Sequence, residues 1–337
     1  MKIDEFINID NPEKFDLSSE FSTEDYKESS ACEKYVIYKA YTTANRWSDA
    51  FDSGREFRKL IRDKYIKKHK RKIINWINDP DNGSELLTEI YDRLWPFMYD
   101  EKKGRFWSDT LSSVQYTMAD IFEVLIETRE SRNYRYSMPH KQNCSIQYII
   151  DYLSKITTEG KVEDRVKSAA AEIEKVKGVD LFLSAWHTLG NYCPVPEGFN
   201  APRSNFGKYD FWDFTLTIIR KWYLLENVFA KEKLITEDLF HFNKKGNVEE
   251  CTRWLSQFGD GENGWEKFVD TFFFQDWVYC EVDKVNTYYD VVPLSPSHIY
   301  DNALTPFNDL ELFFTNYRNR IYRRGKRILD AVVRNDN

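Results

Sequence analysis

Between Tyr209 and Leu225 the apolar side chains recur at helical spacing, with Phe211, Phe214, Ile218, Trp222 and Leu225 on one face. Leu216 and Leu224 fall on the opposite side, so a helix here must be covered from two directions. Such a helix sits inside a larger body of helices, and the remaining sequence supplies them. Val36, Ala40, Ala44, Trp47 and Phe51 predict one, and residues 53–78 a second that stops at Asp79-Pro80. Ser84 is an N-cap for a helix holding Leu87, Ile90, Leu94 and Trp95. Further helices are expected over 109–129, 143–156, 162–177, 236–242, 248–258, 262–280 and 308–333. Cys193-Pro194-Val195-Pro196-Glu197-Gly198 cannot be regular helix, and Tyr288 to Leu294 is the best short strand.

The expected fold is therefore mainly α: a multi-helix globular body with a small irregular or β element around 186–207. Residues 1–30, rich in Asp, Glu, Ser and Asn, read as a loose acidic arm. Residues 31–337 read as one helical domain, divisible into lobes at 177/178. Aromatic residues make up 16% of the chain, which suits the core of a large helical protein better than base-stacking.

A net charge of -7 argues against a surface coated for non-specific nucleic-acid binding. No apolar run is long enough to span a membrane, and the acidic N-terminus lacks an apolar signal region. Cys32, Cys144, Cys193, Cys251 and Cys280 stand singly, which reads as reduced thiols in a cytoplasm and not as a zinc site.

Several constellations could carry chemistry. Lys67 to Lys72 forms the strongest basic cluster, and Arg318, Arg320, Arg323, Arg324, Lys326 and Arg327 form another on the C-terminal helix. Both are equally the solvated faces of helices. Asp276 falls among Phe268, Phe272 and Tyr279 if residues 262–280 are one helix, and a carboxylate there needs a cation, with Arg324 or Arg220 the expected partner. Asp213, Thr217 and Arg220 make a polar column among apolar neighbours, readable as a site or as a seam between helices.

His187-Thr188-Leu189-Gly190-Asn191, followed by Asn200, Ser204-Asn205, Phe206 and Lys208, resembles the second half of the His-Asn-His endonuclease domain of modification-dependent restriction enzymes. The upstream half of that pattern has only Met138-Pro139-His140 as its nearest fragment. From Leu86 to Ile328 the chain is also similar to a family of uncharacterised bacterial proteins. That likeness is densest over 188–223, including Asn200-Ala201-Pro202-Arg203, at Phe272 to Asp276, and at Arg318-Asn319-Arg320-Ile321.

The endonuclease resemblance implies a nucleic-acid-processing or phage-defence protein with His187, Asn191, Asn200 and Asn205 as catalytic residues and a divalent metal as cofactor. A second reading is a non-catalytic binding protein, in which these residues only tie a long loop to the helices. A third is an enzyme or sensor for a small anionic, phosphorylated ligand. The ligand-binding set would then be drawn from Arg203, Asp213, Arg220, Gln275, Asp276, Arg318 and Arg320.

Overall fold

The computed structural model describes residues 1–15, 17, 84–111, 178, 182, 185, 188–203, 212–282, 287–291 and 307–335. The helices expected near 36–51 and over 53–78, 143–156 and 162–177 fall outside them, as does the basic run at 67–72. What is described is mainly helical, with two small antiparallel sheets, in agreement with the expected fold class.

The first fifteen residues are not a loose arm. Helix α1 (Ile3–Ile7) buries Ile3 and Phe6, and Phe6 meets Phe15 edge-on at 5.5 Å. The Ile3 N–H donates to Glu89 at 3.2 Å, which pins the segment to α2 (Glu85–Leu94). The acidic composition misled: Asp4 and Glu5 occupy the first turn of α1, where carboxylates complement the helix dipole, while the few apolar residues point inward. Ser84 caps α2 as expected, its Oγ accepting from the Leu87 N–H at 3.1 Å.

Strand β1 (Trp107–Thr110) pairs antiparallel with β2 (Tyr192–Val195), Asp109 lying opposite Cys193. A helix starting at Asp109 is thereby corrected. The β element expected around 186–207 is present as a 3-10 turn at Leu189–Asn191, β2, and the short helix α3 (Asn200–Arg203). Helix α4 (Trp212–Leu224) buries Trp212, Leu216, Ile219 and Trp222, with Phe214 and Ile218 packed partly against the core. Helix α5 (Val228–Leu234) runs into a π-turn, Ile235–Leu239, in place of the plain helix expected over 236–242. His241 and Phe242 then take left-handed φ of 50° and 58°.

Helix α6 (Val248–Ser256) is followed by α7 (Gly261–Thr271), which ends nine residues before the expected Cys280. Phe273 turns left-handed at φ 58°, the Phe274 N–H reaches Val269 O at 2.8 Å, and the Phe273 N–H reaches Asp270 O at 3.3 Å. This is a Schellman stop with phenylalanine where glycine is usual. Trp95 secures the same helix end by donating its indole N–H to Thr271 O at 2.7 Å. The chain continues into a hairpin of β3 (Val278–Val282) and β4 (Thr287–Val291), which covers part of the strand expected at 288–294. Helix α8 (Phe307–Asn335) follows, close to the expected 308–333.

Aromatic rings form the core between these elements. Phe272 stacks on Trp95 at 5.9 Å, Trp254 meets Phe268 edge-on at 5.3 Å, and Trp212 stacks on Phe274 at 5.2 Å. The aromatic richness of the sequence is thus used, in these elements, for packing.

Candidate functional site

The segment 188–203 is held by two buried arginines. Arg203 lies at the end of α3 and is 1% exposed, so its charge must be met internally. It forms an ion pair with Asp109, itself 2% exposed, and donates Nη1 to Thr215 Oγ1 at 2.9 Å. Asp109 also accepts the Trp212 indole N–H at 2.8 Å. The guanidinium carbon sits 5.6 Å from both the Phe199 and the Trp212 ring centroids. Burial pushes the Asp109 carboxyl up from its ordinary value, opposed first by the Arg203 charge and then by its hydrogen bonds. One carboxylate therefore ties β1 to both α3 and α4.

Arg324 projects from α8 and is fully buried, yet no carboxylate among the described residues partners it. Its Nε donates to Phe272 O at 3.0 Å, and its Nη1 donates to Gly190 O and Tyr192 O at 2.9 and 2.7 Å. The Phe274 ring lies 5.1 Å from the guanidinium carbon. Burial pulls its pKa down, but a guanidinium stays charged at any ordinary pH. Here it serves as a clamp for three carbonyls at element ends. The helix comes this close because Gly190 has no side chain: a Cβ there would lie 1.7 Å from Ile321 O.

One turn earlier on α8, Arg320 is 7% exposed and lies 6.0 Å from the Trp277 ring. Burial pulls its guanidinium down, while Asp213 and Asp276 pull it back up. Tyr317 adds a hydrogen bond to Leu111 O at 2.9 Å, and burial pushes its phenol up. The buried Asp213 accepts the Phe214 N–H at 3.1 Å. Three residues singled out in the sequence, Asp213, Asp276 and Arg320, thus share one electrostatic neighbourhood on the inner face of α8.

The others are not brought together. Arg220 pairs with Glu262 at 3.4 Å, and Thr217 bonds back to Asp213 O in its own helix. Asp276 is paired, but with Arg327 at 3.0 Å and Arg323 at 3.7 Å, not with Arg324 or Arg220. The early end of α7 moves the carboxylate off the helix face it was expected to occupy, and Arg324 is already engaged by carbonyls. Gln275 donates to Asp270 at 3.0 Å, and Arg318 contacts the neighbouring Asn319. Asn200 donates to Ser108 O at 3.4 Å, and buried Asn191 accepts the Leu111 N–H on its carbonyl at 2.8 Å. His187 and Asn205 lie outside the described residues.

Asp109, the centre of this arrangement, carried no role in the sequence reading. Its only signal is an acid two residues after Phe106-Trp107, within a stretch read as helix. Among the described residues no group of three or more His, Cys, Asp or Glu is placed to hold a metal ion. No family model, no curated protein and no solved structure matches the chain.

Proposed function

We propose that this chain is a non-catalytic binding protein in which the polar residues of 188–203 hold a loop against the helices. One observation carries the reading: Arg203, the deepest cation of the expected ligand set, is taken up by Asp109 and Thr215. An anion arriving at Arg203 would have to displace a buried carboxylate and leave it unpaired, at a cost of about 3–5 kcal/mol. Asn200 supports the same reading, because its side-chain amide holds the carbonyl of Ser108 in β1.

The test is incubation of the purified protein with DNA and with RNA, each in magnesium and in manganese, beside a His187→Ala variant. Both nucleic acids are expected to remain intact. Cleavage that the single change abolishes would overturn the binding reading in favour of the endonuclease one.

A further inference from the structure

A cavity of about 260 Å³ opens between the turn that follows α2 and the outer face of α6. Tyr99, Trp107 and Trp254 supply rings to its wall, and Asp100, Glu101 and Glu197 supply carboxylates. With Glu250 included, four carboxylates line it against two cations, Lys102 and Arg253, and Arg253 is already paired with Glu250. Glu197 meets Lys103 at 3.6 Å, where both side chains are about half exposed, so screening leaves little of that attraction.

Asp100 is the best defined of these carboxylates. It accepts the Trp107 indole N–H at 2.9 Å and the Lys103 backbone N–H at 3.1 Å. The Trp107 bond, foremost, holds its carboxyl below the usual value. The indole ring is thereby fixed beside a fixed negative charge. The fold already uses this ring for a cation: the Arg105 guanidinium carbon lies 4.4 Å from its centroid. Trp254 is 2% exposed, and its indole N–H meets no acceptor among the described residues. Tyr99 is 43% exposed beside Phe97 at 45%, so aromatic surface is left open at this site.

Aromatic faces beside carboxylates attract organic cations, through the ring quadrupole and through charge. Phosphate would meet mostly like charge here. The volume lies just below the roughly 300 Å³ at which pockets for drug-sized molecules begin, so it admits a side-chain-sized group. We infer that this cavity binds a guanidinium or alkylammonium group, carried by an arginine or lysine residue of a partner or by a free small cation. The inference rests on the binding reading and names its ligand.

The experiment uses the full chain with ¹⁵N-labelled tryptophan indoles, titrated with N-acetyl-arginine amide and with its neutral citrulline analogue. Trp107→Phe assigns one indole signal and Trp254→Phe the other. The arginine compound is expected to shift both signals saturably, with a Kd of about 1 mM, and the citrulline compound to shift neither. Glu101→Gln with Glu197→Gln should weaken binding about tenfold, and should leave the thermal melt unchanged, since Glu101 is exposed and the Glu197 side chain is 42% exposed. An arginine-bearing peptide that binds more than about tenfold tighter than the amide assigns a partner chain; equal binding assigns a small cation. Equal shifts with citrulline, or no saturable shift up to about 10 mM, would overturn the inference. The nucleic-acid assay is read separately, so a silent titration with intact nucleic acid removes this site alone, whereas cleavage removes the binding reading.

Discussion

Replacing Asp109 by valine should destabilise the protein by about 3–5 kcal/mol, the cost of leaving one member of a buried ion pair alone. The structure gives the reason in detail. Arg203 is 1% exposed and would lose the Asp109 carboxylate, and the Trp212 indole N–H would lose its acceptor. Arg203→Met should cost a similar amount, because Asp109 would remain buried with the indole N–H and no cation. The Asp109→Val, Arg203→Met double variant removes both charges and leaves apolar groups of comparable shape between Phe199 and Trp212. It should recover most of the loss, giving a coupling energy of at least about 2 kcal/mol in the cycle. Urea unfolding followed by tryptophan fluorescence measures all four proteins. At a slope of about 3 kcal/mol/M, each single variant should lower the midpoint by about 1 M or more. Additive single effects, or a single variant with an unmoved midpoint, would refute the claim that the pair is a structural tie.

Other outcomes follow from the same geometry. Gly190→Ala should cost more than about 3 kcal/mol, beyond ordinary overpacking, because its Cβ would meet the Ile321 carbonyl at 1.7 Å; thermal melting reads this directly. Phe242→Gly should stabilise the fold by about 1 kcal/mol, since this residue is 68% exposed and sits at φ 58°, where glycine avoids the Cβ clash. Burial pushes the Cys193 thiol up to about 12, so it should resist thiol reagents in the native state and react only on unfolding. Its native pKa lies above its ordinary 9.0, so the folded state keeps a proton that the unfolded state releases. Its stabilising contribution should therefore be full below about pH 9 and fall as pH rises through about 12, as alkaline urea titrations would measure.

The sequence made the long elements legible and left the junctions obscure. Helices α4 and α8 lie where expected, although α4 buries Trp212, Leu216, Ile219 and Tyr223 more deeply than the expected Phe214 and Ile218 and leaves Leu224 exposed. The Ser84 cap follows from a hydroxyl ahead of an apolar repeat. The β1–β2 pairing could not be read the same way. Each strand is four residues long, and Asp109 pairs with Cys193 across a large sequence gap that no local pattern records. The end of α7 was hidden because Phe273 takes the glycine position of the stop, so an unbroken aromatic run looked like continuing helix. That error carried over to Asp276. An arginine partner for it was readable, but naming Arg323 and Arg327, both exposed, required the turn that redirects the carboxylate. Composition likewise concealed α1, where Ile3 and Phe6 decide the packing although acids surround them.

The Arg324 clamp also sets the order in which the molecule can be completed. Its carbonyl partners Gly190 and Tyr192 stand 134 and 132 positions earlier in the chain, and Tyr317 reaches back 206 positions to Leu111. A growing chain therefore exposes the seat of α8 at Gly190, and the carbonyls that Arg324 binds, until α8 arrives. Closure over such separations is slow, because loop entropy is lost before the contacts form. Until then the apolar seat is open to wrong partners, which makes the interval before α8 is in place the one of greatest aggregation risk. A chain shortened before Tyr317 should thus collect in insoluble form and not persist as a smaller folded protein.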